Sequence, residues 1–210
     1  MDHTSISGYR YSRSTLGCAH KYLLPAIENV LQESHISPAT AFDLGCGNGS
    51  VAKWLTNKGF EVTGVDPSTS GIKAANVAYP SIDLRVGSAY EPLRETFGTF
   101  PLVISLEVVE HLYSPRSFAS CVFELLSDDG IAIISTPYHG YLKNLVLSAA
   151  GRMDAHFTAL WDHGHIKFWS RKTISQLLTE AGLAVERIDR IGRIPQLAKT
   201  MLVVARKPKS

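Results

Sequence analysis

The sequence predicts a doubly wound α/β domain with a mostly parallel sheet and helices on both faces, and three observations carry that reading. From residue 39 onward, short apolar runs alternate with longer amphipathic segments, the pattern of helices packed on a buried parallel sheet. Three glycines at alternate positions, Gly45, Gly47 and Gly49, separate the first apolar run from the first amphipathic segment. The last two runs are joined by residues 192–198, a connection too short for a helical crossover, so they pair antiparallel at one edge.

Strands are expected at 39–44, 61–65, 83–86, 101–106 and 130–135, each apolar or β-branched and each ended by small or polar residues. Two further strands at 184–191 and 199–205 complete a seven-stranded sheet. Helices are expected at 50–58, 68–78, 115–126 and 172–181. The third has Ser114 as N-cap and Pro115 at its first position, where a missing N–H costs nothing, and Gly182 stops the fourth.

Residues 137–170 interrupt the alternation. They are rich in His, Tyr and Trp and follow the fifth strand, where the ligand crevice of such a sheet lies, so they are read as a lid over a substrate. Within them 142–150, with Lys143 and Arg152 beside it, has the pattern of an amphipathic helix; it could rest on a membrane surface but is expected as a short buried helix.

Composition bounds the rest. A chain of 210 residues, 45% hydrophobic and 19% charged, is long enough to bury roughly 70% of its unfolded surface in one core, so residues 1–210 are read as a single domain. The net charge of +2 carries no basic patch that predicts nucleic-acid binding. Cys18, Cys46 and Cys121 form no Cys-x-x-Cys pair and no disulfide framework. No apolar leader or membrane span is visible, and a cytoplasmic protein with a small-molecule partner is expected.

The strongest motif is Asp43-Leu44-Gly45-Cys46-Gly47-Asn48-Gly49 between the first strand and the first helix. Glycine tolerates the turn and has no Cβ, so a ligand can lie against the backbone, while the helix N-terminus offers free N–H groups. Asp66 ends the second strand 23 residues after Asp43, where a carboxylate can accept both hydroxyls of a ribose. Together they describe a nucleoside site at the top of a Rossmann-like sheet. The dinucleotide fingerprint Gly-x-Gly-x-x-Gly fails, because counting from Gly45 its last position is Ser50; this weighs against a rival reading as an NAD-dependent oxidoreductase. A noncatalytic module that keeps the pocket is a second rival.

With Leu106-Glu107-Val108-Val109-Glu110-His111 further on, these residues resemble the class I S-adenosylmethionine-dependent methyltransferases over almost the whole chain. The resemblance is nearest to the ubiquinone-biosynthesis O-methyltransferase group, whose Glu-x-x-Glu-His and Ser-Thr-Pro are matched by residues 107–111 and by Ser135-Thr136-Pro137. It implies S-adenosylmethionine as cofactor, with Gly45, Cys46 and Gly47 against the methionine part, Asp43 at the loop entrance and Asp66 on the ribose. Pro67 and Ser68 would flank the adenine. Ser88, followed by Ala89, stands where the family commonly has an acid for the adenine amino group, a departure that weakens one polar contact. Leu106 and Glu107 would lie beside the transferred methyl. The leading segment, 1–36, resembles a cofactor cover, with Arg13 either pairing the methionine carboxylate or standing as a surface charge.

Methyl transfer needs alignment and exclusion of water, and a base only if the acceptor must lose a proton. For a hydroxyl on a small, aromatic acceptor the candidates are His111, His165 and Glu107. Five of the eight histidines fall between 111 and 165, the others being His139, His156 and His163. Glu107, Glu110 and His111 with His163 or His165 could also hold one divalent ion, as in the small-RNA 2′-O-methyltransferases that this arrangement resembles, although His165-Ile-Lys-Phe168 has one residue too many. Tyr138, Tyr141, Phe157, Trp161, Phe168 and Trp169 are expected to line an apolar acceptor pocket or simply to pack the lid.

Overall fold

Near-continuous apolar runs, buried on both faces, build the sheet. The computed structural model describes residues 15–17, 19–162, 164–192 and 194–209. In it, strands β1 (Thr40–Leu44), β2 (Glu61–Asp66), β3 (Asp83–Val86), β4 (Phe100–Leu106), β5 (Leu126–Pro137), β6 (Ala184–Ile191) and β7 (Thr200–Arg206) form one seven-stranded sheet in the order β3-β2-β1-β4-β5-β7-β6. The first five are parallel, and β7 runs antiparallel between β5 and β6. The expected architecture and all seven strands are therefore present. Only β5 is clearly longer than expected: its first residues, with Asp128 and Asp129, follow no apolar pattern and are held instead by backbone bonds between Asp129, Gly130 and Lys207.

Successive side chains of each strand feed two separate cores. Phe42, Val103, Ala132, Ile134, Met201 and Val203 pack on the face covered by helices α5 (Pro115–Leu125) and α8 (Arg171–Glu180). Ala41, Leu102, Ile104, Ile133, Leu202 and Val204 pack on the other, under α1 (His20–Glu33), α2 (Ser50–Asn57) and α3 (Thr69–Ala78). Short α4 (Leu93–Phe97) adds Leu93 to the first core.

Two helix starts are capped by serine side chains, and the one expected from the sequence is not. Ser68 caps α3 by accepting from Gly71 N–H at 3.2 Å, and Ser170 and Thr173 close a capping box on α8. Ser114 stands at the N-cap of α5 with Pro115 behind it, but its hydroxyl pairs with Ser117 Oγ at 2.8 Å and caps no N–H.

One expectation for the flanking segments needs correction, that of a buried helix in the lid. Within the leading segment α1 serves the core: Leu23, Ile27, Val30 and Leu31 recur at helical spacing and bury one face of the helix against the domain. Of its described residues Thr15, Gly17, Ala19 and His20 reach the cleft, and Arg13 lies outside the described residues. In the lid, α6 (Tyr141–Ala149) forms where a helix was expected but buries none of its residues. Tyr138 and His139 already fill the space beneath it, and the Tyr138 carbonyl draws in the polar face through Lys143 Nζ at 2.8 Å. Leu142, Leu145 and Val146 are left facing water. A second short helix, α7 (Met153–Phe157), leads to the cleft. Among the described residues no helix is long and apolar enough to cross a membrane.

Candidate active site

The strand order reverses between β1 and β4, and at such a point the loops leave the sheet in opposite directions and open a crevice above the strand ends. Here it is a cleft of about 1000 Å³. Its floor is the loop from Gly45 to Gly49. Gly45 and Cys46 donate their N–H groups to the Val65 carbonyl at 2.8 and 3.0 Å, which folds the loop back over β2. Gly45 has φ +89°, and a Cβ there would lie 2.4 Å from Val108 Cγ2. The bare backbone is thus a requirement of the turn and of the wall behind it.

Two carboxylates brace this loop. Asp66 Oδ2 accepts from Gly47 N–H at 2.9 Å and Oδ1 from Ser68 N–H at 2.8 Å. Burial raises its pKa, and those two amides oppose the rise. Asp43, 2% exposed, accepts from Ala52 N–H in the first turn of α2, while its Oδ2 has no partner among the described residues. Burial, followed by the negative charge of Asp66, pushes its carboxyl up to about 7. A backbone cradle, a carboxylate at its rim and a buried orphan oxygen fit a cationic nucleoside such as S-adenosylmethionine. Pro67, Ser88, Ala89 and Leu106 line the same cleft, and so does Cys46, whose buried thiol is pushed well above its ordinary pKa. Ser68 is spent on its helix cap.

The opposite wall is built by the end of β4 and the turn of 3₁₀ helix at Val109–His111. Glu107 has φ +57°, in the left-handed region that non-glycine residues avoid. Its Oε1 accepts from Ser135 Oγ at 2.7 Å and from Thr200 Oγ1 at 2.8 Å. Burial raises its pKa against those two hydroxyls. Glu110 is fully buried; neither of its oxygens has a well-formed hydrogen bond among the described residues, although the Thr136 hydroxyl lies beside it. Burial first and the charge of Glu107 second raise it well above the usual range. His111 Nδ1 lies 3.2 Å from the Gly164 carbonyl, and its ring meets those of His165 at 4.9 Å and Trp161 at 6.2 Å. Burial and the neighbouring His111 and His156 hold His165 down to about 4, so its imidazole is neutral.

Of the expected metal ligands, Glu110, His111 and His165 bring donor atoms within 4.8 Å of one another. Glu107 does not join that group, and His163 lies outside the described residues. The other two lid histidines form a separate pair, His139 and His156 at 5.5 Å, stacked around Phe157 behind the wall. The aromatic lining differs from the one expected, since Tyr90 and Tyr113 belong to it. Phe157 and Trp161 line the cleft, but Tyr138 and Trp169 belong to the core, Trp169 donating its Nε1–H to the Val109 carbonyl at 3.4 Å. Tyr141 is 82% exposed on α6, and Phe168 packs edge-on to Phe157 from outside. Thr200 was missed from sequence because nothing local marks it; only the strand pairing carries it to Glu107.

Comparison with known proteins decides what this cleft belongs to. The methyltransferase domain family matches residues 18–188. The chain belongs to that family. The methyltransferase is 29% identical over 160 residues to the mitochondrial ubiquinone biosynthesis O-methyltransferase of Bos taurus, covering 73% of this chain and 43% of the relative. It is 27% identical to the ubiquinone biosynthesis O-methyltransferase of Rickettsia typhi, covering 80% of this chain and 68% of the relative. It thus spans less than half of the bovine protein's length. Among solved structures, magnesium protoporphyrin IX methyltransferase from Synechocystis, with bound S-adenosylhomocysteine, superposes with a TM-score of 0.67 at 17% identity, over 88% of this chain and 82% of that one. An S-adenosylmethionine-dependent methyltransferase from Mesorhizobium loti gives 0.67 at 19%, over 90% and 98%. The cofactor of the methyltransferase is S-adenosylmethionine.

Two substitutions test this half of the cleft. Asp66→Ala weakens binding of S-adenosylhomocysteine by about 1.5 to 3 kcal/mol in isothermal titration, the worth of charge-assisted hydrogen bonds; unchanged affinity removes Asp66 from the ribose. Asp43 titrates at about 7 when folded against an ordinary 3.8. The folded state therefore keeps a proton that the unfolded chain releases, so this group's contribution to stability falls as pH rises through that window and is level above it. Asp43→Asn cannot ionise, and its melting temperature declines less steeply than the parent's across the window; parallel curves would return Asp43 to water.

Proposed function

We propose that the methyltransferase transfers the methyl of S-adenosylmethionine to a hydroxyl of a small aromatic molecule. The observation that carries this reading is that a buried carboxylate, Glu107, lines the same cleft as His111 and the neutral imidazole of His165, together with the rings of Phe157 and Trp161. S-adenosylmethionine supplies an activated methyl, whose bond to sulfur breaks as the new bond to oxygen forms. What this chain adds is orientation, a dry wall and a group to take the hydroxyl proton. Glu107, His111 and His165 are the candidates on this wall to accept it. Phe157 and Trp161 offer flat apolar faces for an aromatic ring. The relatives named as O-methyltransferases of ubiquinone biosynthesis support the oxygen acceptor.

The remaining assignments follow the same reading. Residues 1–210 act as one domain, 137–170 serve as a substrate lid, and Arg13 would reach the carboxylate end of the cofactor. The protein works in the cytoplasm on a small-molecule acceptor, without nucleic acid. A second reading has its own observation: the Glu110 carboxylate, buried and poorly bonded beside two imidazoles, is a donor set that suits one divalent ion. Such an ion, held by Glu110, His111 and His165, would lower the pKa of a bound hydroxyl.

The test is to incubate the purified protein with S-adenosylmethionine and matched sets of catechols, anilines and thiols, with S-adenosylhomocysteine and methylated products measured by mass spectrometry. Catechols are expected to carry the methyl on oxygen. Methyl found only on nitrogen or sulfur overturns the acceptor assignment, and a catechol rate that survives exhaustive chelation overturns the ion.

A further inference from the structure

Strand β7 is almost uniformly apolar and buried, from Met201 to Ala205, yet it begins with a polar residue that is equally buried, Thr200 at 1% exposed. Valine has the same shape and would pack there as well, so the hydroxyl needs a reason. It has two neighbours. Thr200 Oγ1 is 2.8 Å from Glu107 Oε1 and 2.7 Å from the Thr136 carbonyl oxygen. The hydroxyl shares its single proton between these two acceptors and so ties the wall carboxylate to the backbone of β5, and the stiff χ1 of a β-branched side chain keeps it aimed.

We propose that Thr200 is a positioning residue for methyl transfer, holding the Glu107 side chain at the acceptor wall of the cleft from a strand that itself touches neither cofactor nor acceptor. Ser135 shares the task. Its hydroxyl donates to the same Oε1 at 2.7 Å, and its carbonyl accepts the Glu107 N–H at 3.1 Å. Both hydroxyls converge on one oxygen, which fixes the carboxylate's direction and leaves Oε2 for chemistry. The left-handed backbone at Glu107 makes such anchoring necessary, since a residue in that sparsely populated region persists only where its surroundings over-determine it. Thr200 itself is not among the residues lining the cleft. Its effect on the reaction must therefore pass through Glu107.

The rate readout rests on the hydroxyl-acceptor reading above; the structural readout does not. Thr200→Val keeps shape and removes the bridge. With a catechol that the parent methylates, the variant is expected to lose roughly 10- to 100-fold in kcat, the scale of a misplaced catalytic group, with unchanged affinity for S-adenosylhomocysteine and with Thr200→Ser restoring the rate. An unchanged kcat, or an equal loss in Thr200→Ser, overturns the proposal. If the parent methylates no catechol, the acceptor reading fails by itself, and a crystal structure of Thr200→Val with S-adenosylhomocysteine still decides. A displaced Glu107 carboxylate supports positioning, and an unmoved one overturns it. Should Thr200→Val not fold, Ser135→Ala removes the other hydroxyl on the same oxygen and is judged by the same readouts.

Discussion

One carboxylate ties together the two halves of the nucleoside grip. Asp66 takes an amide from the glycine loop on one oxygen and an amide from the start of α3 on the other, so the end of β2 fixes both the loop and the next helix. Each carboxylate oxygen has more than one lone pair, and both can still accept from a ligand while holding the backbone. Loss of this bracket would free the loop at Gly47, and the bare turn at Gly45 would lose its register against Val108. The site is thus shaped by a residue whose first duty is to the backbone.

The cleft and the wall behind it gather carboxyl groups that water would prefer to keep. Asp43, Asp66, Glu107 and Glu110 are each raised by burial, although the chain as a whole carries a net +2. Desolvated acids without cations cost stability unless something compensates, and groups perturbed in this way cluster at functional sites. A sulfonium is a cation with little hydration to lose. The cleft is therefore electrostatically prepared for its cofactor in a way that the net charge conceals.

The sheet was legible in the sequence because burial on both faces leaves an unmistakable apolar run, and the loop because no other residue tolerates φ +89° beside Val108. Asp43, Asp66, Ser88 and Glu107 were legible as strand ends. What failed was the lid. Trp169 and Tyr138 have the composition of a pocket but the location of a core, and α6 turned its apolar face outward because polar backbone beneath it claimed Lys143. Period and composition carry no information on what already occupies the space below a helix. Thr200 was hidden for another reason: it bears on Glu107 across 93 residues of chain, and no local pattern spans that distance.

This difference in span divides the cleft in time as well as in space. The bond from Gly47 to Asp66 closes a stretch of 19 residues, within reach of an early, rapidly searched segment, while the anchor on Glu107 waits for β7 to slot between β5 and β6. Loop closure over long separations comes late and slowly. The nucleoside grip is thus a short-range product of the chain, and the acceptor wall a long-range one.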